Sequence, residues 1–308
     1  MKRALLLLAI LAVPAGAQGS APYTVQETGQ GFASLQQAVQ AIGGGRGTIL
    51  VAPGRYRDCA VQQAGDVTFR AAEPGTAVFD GGACEGKATL VLRGRAASVE
   101  GLIFQNVRVP DANGAGIRLE HGALTVLETM FRNSESGILS ADDPGSRILI
   151  ERSTFSGLGR CDRGLACAHA IYIGNYGGLT VRNSRFEKGR GGHYVKTRAG
   201  RIEVTDSSFD DSAGRATNYM IDLSGGATGL ISRNTFVQGG DKENYSAMIT
   251  VAPEGTRHDA SGLAVVGNDA SLAPGVEHGT SFVVGFNDAA IRIEGNKLGP
   301  RIEKFERR

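Results

Sequence analysis

A phenylalanine returns through the middle of this chain at near-constant intervals, each time after a short aliphatic run and a polar Ser, Thr or Asn. Phe104, Phe131, Phe155, Phe186, Phe209 and Phe236 are separated by 27, 24, 31, 23 and 27 residues. Two of the units read Leu179-Thr180-Val181-Arg182-Asn183-Ser184-Arg185-Phe186 and Leu230-Ile231-Ser232-Arg233-Asn234-Thr235-Phe236. A period in the twenties, built of strands and turns with almost no helical periodicity, marks a solenoid whose repeats bury their apolar faces only by stacking. Leucine-rich repeats need an L-x-x-L-x-L frame that is absent, and propeller blades need about twice this period. What remains is an all-β chain wound as a right-handed parallel β-helix, each coil made of about three short strands. The 45 glycines among 308 residues then find a use at sharp corners, where the missing Cβ removes strain. With only 9 Pro and no G-X-Y period, collagen and Pro-rich disorder are excluded.

The N-terminus reads as a leader. Met1-Lys2-Arg3 is a positive n-region, Ala4 to Val13 is apolar, and Pro14-Ala15-Gly16-Ala17 supplies small residues in an A-x-A pattern. Residues 1–17 are therefore expected to be a secretory signal peptide, with 18–308 forming the β-helix domain and a periplasmic or extracellular destination. A retained N-terminal anchor is the other reading. No other stretch reaches the ~18 apolar residues of a membrane helix, so no membrane span is expected. The 33 Lys+Arg against 31 Asp+Glu fall into balance once Lys2 and Arg3 leave with the leader. That balance argues against a nucleic-acid partner and against a polybasic membrane surface.

Four cysteines suit an oxidising compartment and allow three pairings. Local spacing favours Cys59 with Cys84 and Cys161 with Cys167. A metal site is the alternative, but no C-x-x-C and no tight His cluster accompany them, so no metal is assigned. The loop 157–168 is an insertion between coils, closed by the second pair and ending at His169. Asp241 to Asn244, with Tyr245, is a second insertion.

Near the start, Leu35, Ala38, Val39 and Ile42 recur at helical spacing, and Ser34 with Gln37 forms a capping box. A helix over about 32–43 is expected as a lid, because a solenoid's open end exposes apolar residues and unpaired strand edges. The run F-x-S-L-Q-x-A-V…G-G-x-G-T-I-x-V-x-P-G-x-Y resembles the entry to pectate-lyase-like β-helix proteins. With the later coils the resemblance covers most of residues 24–300. It implies the same fold, and commonly a long shallow groove suited to a polymer.

Aliphatic anchors align one strand of successive coils: Gly116-Ile117-Arg118-Leu119-Glu120, Gly137-Ile138-Leu139-Ser140-Ala141, Ala170-Ile171-Tyr172-Ile173-Gly174, Tyr194-Val195-Lys196-Thr197-Arg198, Met220-Ile221-Asp222-Leu223-Ser224 and Met248-Ile249-Thr250-Val251-Ala252. If the Ile/Val of each second place points inward, one outward column reads Arg118, Leu139, Tyr172, Lys196, Asp222, Thr250. His169 and His193 precede their strands in consecutive coils, and Asn218 and Tyr219 hold the matching place in the next. A solvated polar exterior is the plainer account of any one of these residues. Together, with Tyr172, Tyr176, Tyr194 and Tyr219 among only seven tyrosines, they form a candidate carbohydrate site.

A basic, tyrosine-rich groove suits an anionic polysaccharide. β-Elimination of a uronate needs a base for the C5 proton, a cation for the carboxylate and an acid for the leaving oxygen. Lys196 is the candidate base, which requires its pKa to be lowered by Arg198 and partial burial. Arg198 neutralises the carboxylate, and Tyr172, Tyr219 or a histidine such as His193 donates the proton; His169, Tyr194, Tyr219, Asp222 and Asn218 line the substrate. C5-epimerisation begins with the same abstraction. The stretch Tyr194-Val195-Lys196-Thr197 is similar to the coil that carries the base lysine in β-helix alginate and dermatan lyases. That resemblance transfers the lysine to Lys196. It does not transfer the family's next-coil arginine, because that coil reads Met220-Ile221-Asp222-Leu223-Ser224, nor an Asn/Glu/Glu set for the calcium some of these lyases use. The expectation is thus a polysaccharide lyase or epimerase, working as a monomer without a cofactor. A non-catalytic glycan-binding or cell-envelope structural β-helix is the alternative. A glycoside hydrolase is third: it would need two opposed carboxylates, and Asp210-Asp211 instead read as a turn after Phe209.

Overall fold

In the computed structural model, which describes residues 21–162 and 164–308, the chain coils into three parallel sheets of twelve, ten and ten strands. The expected leader lies outside these residues. Strands three apart in sequence are neighbours in space, the topology of a parallel β-helix. The two opening strands, Tyr23–Val25 and Gln30–Phe32, join the twelve-stranded sheet antiparallel. No helix among the described residues is long and apolar enough to cross a membrane.

The repeat that dominates the sequence is the core of one ten-stranded sheet. Phe79, Phe104, Phe131, Phe155, Phe186, Phe209 and Phe236 are direct register partners. From Phe131 to Phe236 successive ring centroids lie 4.8–4.9 Å apart. This is the coil-to-coil distance itself, so each ring lies directly on the next, within 10° of parallel.

The corners refine the expectation that glycine makes each bend. Where the twelve-stranded sheet turns into the phenylalanine sheet, one residue per coil is left-handed: Gly101, Glu128, Arg152, Asn183, Asp206, Arg233, Gly267 and Gly295, with φ between 47° and 67°. Most of these are not glycine. Their strain, ~1–2 kcal/mol each for L-residues, is offset by the residue that follows. Ser153, Ser184, Ser207, Asn234, Asn268 and Asn296 each accept a backbone N–H from the preceding coil at 2.9–3.3 Å. A buried polar ladder therefore takes over the role assigned to glycine.

The lid helix spans Leu35–Ile42, with Ser34 accepting the Gln37 N–H as N-cap. It buries Leu35, Ala38 and Val39 against the first coil. Gln36 pairs with both backbone groups of Val61, accepting at 2.7 Å and donating at 3.1 Å. The edge strand is thus satisfied as well as covered. Both expected disulfides are formed, Cys59–Cys84 and Cys161–Cys167.

Candidate active site

The other ten-stranded sheet carries the candidate site. Ile171–Ile173, Val195–Thr197, Ile221–Leu223 and Ala247–Val251 are consecutive in it, with Leu139, Tyr172, Lys196, Asp222 and Thr250 in direct register. Ile138, Ile171, Val195, Ile221 and Ile249 point inward and are fully buried. The outward column expected from the alignment is the one observed.

Its lower half is not open. Asp222 is 2% exposed and accepts from Ser224 Oγ at 3.0 Å and Thr250 Oγ1 at 3.2 Å. Lys196 Nζ lies 2.7 Å from Asp222 Oδ2 and 2.7 Å from Oε1 of Glu254. Burial alone drives the Lys196 pKa down, but the two carboxylates outweigh it and hold the lysine above its ordinary value. This corrects the expectation of a lysine made basic by a lowered pKa: Lys196 rests as a charged ammonium.

Glu254 is the group the alignment missed. It stands in the loop after Ala247–Val251, beyond Ala252 in the left-handed region (φ 61°), and returns across the face. Its second oxygen accepts from the Arg198 guanidinium. Burial pushes its carboxyl pKa up, and Lys196 and Arg198 together bring it below the ordinary value. Arg198 also donates to Tyr172 Oη, and its guanidinium carbon lies 5.1 Å from the Tyr172 ring centroid. Lys196 Nζ lies 5.8 Å from the same ring. One exposed carboxylate, two cations and one half-buried phenol therefore meet at a single point.

Beside them runs an aromatic stack. His169 and His193 are 4.8 Å apart and nearly parallel, and His193 and Tyr219 follow at 5.4 Å. The His193 N–H donates to His169 Nδ1 at 2.9 Å, which leaves the proton of a neutral His169 on Nε2. Burial, then the positive charge of Lys196 and other neighbours, holds both imidazoles neutral, far below the ordinary histidine range. His193 Nε2 is 3.4 Å from Asp222, and its Nδ1 is buried with no hydrogen-bond partner among the described residues. Asn218 donates to Glu243, and Tyr219 Oη accepts from Asn244. The insertion at Asp241 to Asn244 thus braces this end of the site.

Tyr194 is not a substrate-lining residue. It is 2% exposed, and its hydroxyl donates to Asp211 at 2.7 Å inside the coil. Tyr176 is likewise core, at 1% exposure. Asp211, read as part of a turn, is fully buried and pairs with an equally enclosed Lys242 at 3.2 Å, while Asp210 does accept the Ser212 turn bonds. The one three-residue cluster of metal-ligating side chains among the described residues is Cys161, Cys167 and Glu243, whose sulfurs are joined to each other.

A solenoid whose outer column places Tyr172, Lys196 and Asp222 on consecutive coils beside Arg198 and Glu254 is a β-helix with a localised polar site. A family profile described as "Right handed beta helix region" matches residues 90–271, more than half of the sequence, and the chain belongs to that family. No curated protein sequence matches it. Among solved structures, a PL6 family alginate lyase, AlyGC, superposes with a TM-score of 0.51 at 16% identity, over 82% of this chain and 36% of that one. ORF18 of Geobacillus virus E2 matches at a TM-score of 0.47 and 14% identity, over 88% of this chain and 57% of that one. This chain therefore spans about a third to a little over half of those proteins. At these identities the likeness is one of fold.

Proposed function

We propose that this protein acts on an anionic polysaccharide, as a lyase or C5-epimerase of uronate units, at the Lys196, Arg198 and Tyr172 cluster. One observation carries this reading. Lys196 and Arg198 together grip the Glu254 carboxylate, so the pair is built as a carboxylate receptor, with a phenol oxygen held by the same guanidinium. A uronate carboxylate that replaces Glu254 is neutralised by two cations, which is what makes its C5 proton removable. Because Lys196 rests protonated, its role here is charge neutralisation, and Tyr172 is the proton-transfer group. With its phenol proton first released to solvent, Tyr172 acts as a phenolate held by Arg198 and takes the C5 proton, and the C5–H electron pair forms the C4–C5 double bond. The C4–O bond breaks as the phenol returns that proton to the leaving oxygen, so charge and protons balance. In epimerisation C5 is reprotonated from the opposite face instead. His193 and His169 are neutral walls of the site. The proposed chemistry uses no cofactor. The fold of the PL6 family alginate lyase makes a uronate polymer the natural first substrate, and two disulfides with the N-terminal leader support an exported protein.

The test is ultraviolet absorbance of the new double bond, with NMR for inverted C5, across a panel of uronate polymers that includes alginate. Wild type is expected to give one of these products, and Tyr172→Phe to lower the rate about a hundredfold or more. No product from any polymer, or an equal rate in Tyr172→Phe, overturns the reading. Binding without product supports the second reading, a non-catalytic glycan-binding protein, which the double carboxylate pairing of Lys196 favours.

A further inference from the structure

A second feature lies along one edge of the site sheet. The corners that join the phenylalanine sheet to the site sheet enclose a cleft of roughly 950 Å³, lined by Arg108, Lys188, Arg190 and Arg215 together with the disulfide loop at Gly159 to Asp162. These residues come from the corners after Ile103–Gln105, Thr154–Ser156, Arg185–Glu187 and Ser208–Asp210. Arg108 and Arg215 are thus four coil steps apart, roughly 19 Å at ~4.8 Å per coil.

The charge of this cleft is unbalanced. Its one acidic lining residue among the described residues, Asp162, receives Arg160 Nε at 2.6 Å, and Arg160 itself is 5% exposed and bound to the carbonyls of Ala112 and Ala166. Among the described residues Lys188 has one ion pair, a long contact to Glu187 at 3.5 Å, and Arg190 is held by a neutral partner, Asn133 Oδ1, at 3.1 Å. Arg108 and Arg215 have no ion pair among the described residues and are exposed. Elsewhere on the exterior some arginines are neutralised across neighbouring coils, as in Arg46–Asp66 at 3.2 Å, Arg70–Glu100 at 2.5 Å and Arg233–Asp206 at 2.7 Å. Single arginines such as Arg147 and Arg182 also have no ion pair among the described residues, but they are not gathered along one cleft. A row of cations left without acids, in a concave strip parallel to the coil axis, is complementary to a linear polyanion. Arg190 is three residues from His193, so the strip adjoins the site at its histidine edge.

We propose that this cleft is a second, non-catalytic binding site for several consecutive acidic units of an anionic polysaccharide, holding the chain while another unit occupies the Lys196 site. The identity of the polymer rests on the function proposed above; the existence of an anion site does not. Guanidinium groups recognise carboxylate and sulfate alike, so both are assayed.

The experiment measures binding of the full chain to alginate, to dextran sulfate and to uncharged dextran, for wild type and for Arg108→Ala/Arg215→Ala. These two side chains hold no other residue, so the fold is expected to survive, and thermal melting checks it. Wild type is expected to bind alginate or dextran sulfate in a salt-sensitive manner and not dextran. The double variant should lose about tenfold or more in affinity, and Arg108→Lys/Arg215→Lys should recover part of it. Turnover of a uronate trisaccharide, whose three units cannot fill the cleft and the Lys196 site at once, should change far less in the double variant than polymer binding does. Equal affinity of wild type and double variant for the polymers overturns the proposal, as does equal binding of dextran. Tighter variant-sensitive binding of single-stranded DNA than of either glycan overturns the choice of ligand. Trisaccharide activity reports on the Lys196 site separately, so either proposal can fail without the other.

Discussion

The phenylalanine sheet and the site sheet are built on one backbone plan, coil on coil at the same spacing, yet they use it in opposite ways. In the first, each coil repeats its neighbour: ring lies on ring from Phe79 to Phe236. In the second, the inward aliphatics repeat but the outward residues change at every coil, from Leu139 to Tyr172, Lys196, Asp222 and Thr250. In a solenoid, stability is a sum of nearest-neighbour interfaces, so identity between coils serves stability and difference between coils is free to serve chemistry. The contrast can be broken by experiment. Removing one ring, Phe186→Ala, should cost about 3–5 kcal/mol, since Phe186 stacks on both Phe155 and Phe209 at 4.8 Å. Denaturant unfolding checks this. A loss under 1 kcal/mol would mean that the ladder is not what holds the coils together.

The site sheet carries a different liability, which is sensitivity to acid. His169 and His193 are stacked and buried, and Lys196 and Lys242 add positive charge around them, against Asp222 and Glu254 on the other side. Their folded-state pKa values are depressed well below the ordinary 6.5. The unfolded chain therefore binds protons first as pH falls. Stability from this pair is complete above about pH 6.5 and declines below it, by about 1.4 kcal/mol per pH unit for each histidine. Melting temperature between pH 7 and pH 5.5 is the readout. His169→Asn/His193→Gln, which keeps an acceptor for the His193 backbone N–H, should flatten that slope, whereas Phe186→Ala should lower the whole curve without changing its tilt. A slope unaltered by the double substitution would place the acid sensitivity elsewhere.

The parts legible in the sequence were those governed by strict periodicity. Alternation with a period of two, anchored on Ile138, Ile171, Val195, Ile221 and Ile249, placed Tyr172, Lys196 and Asp222 in one column, because a slip by one residue would have turned the aliphatics outward. The phenylalanine spacing identified the coil for the same reason. Periodicity fails at the corners. Tyr194 adjoins the site strand and counts as a site tyrosine by position, but the chain turns there and its hydroxyl meets Asp211 within the core. Glycine was expected at bends that Glu128, Arg152, Asn183, Asp206 and Arg233 make; the readable signal was the Ser or Asn that follows most of them. Glu254 and the basic cleft were illegible for another reason. Both depend on loops of unequal length, and no repeat shows that Glu254 crosses back to Lys196, or that Arg108 and Arg215 line one strip.

Glu254 is where the two uses of the plan can be separated most finely. It belongs to no repeat: its side chain is 41% exposed, it stands outside the strands, and its partners Lys196 and Arg198 are the groups assigned to a substrate carboxylate. If it occupies the receptor only until a uronate arrives, its charge opposes binding. Glu254→Gln keeps the shape and removes that charge. A partly exposed ion pair is worth about 0.2–1 kcal/mol, so stability should fall by no more than about 1 kcal/mol. Affinity for a uronate trisaccharide should rise about two- to fivefold. Calorimetric titration of wild type and variant, with melting temperatures in parallel, measures both. Weaker trisaccharide binding in Glu254→Gln would show that the carboxylate orders Lys196 and Arg198 for the ligand, making it part of the receptor rather than its internal competitor.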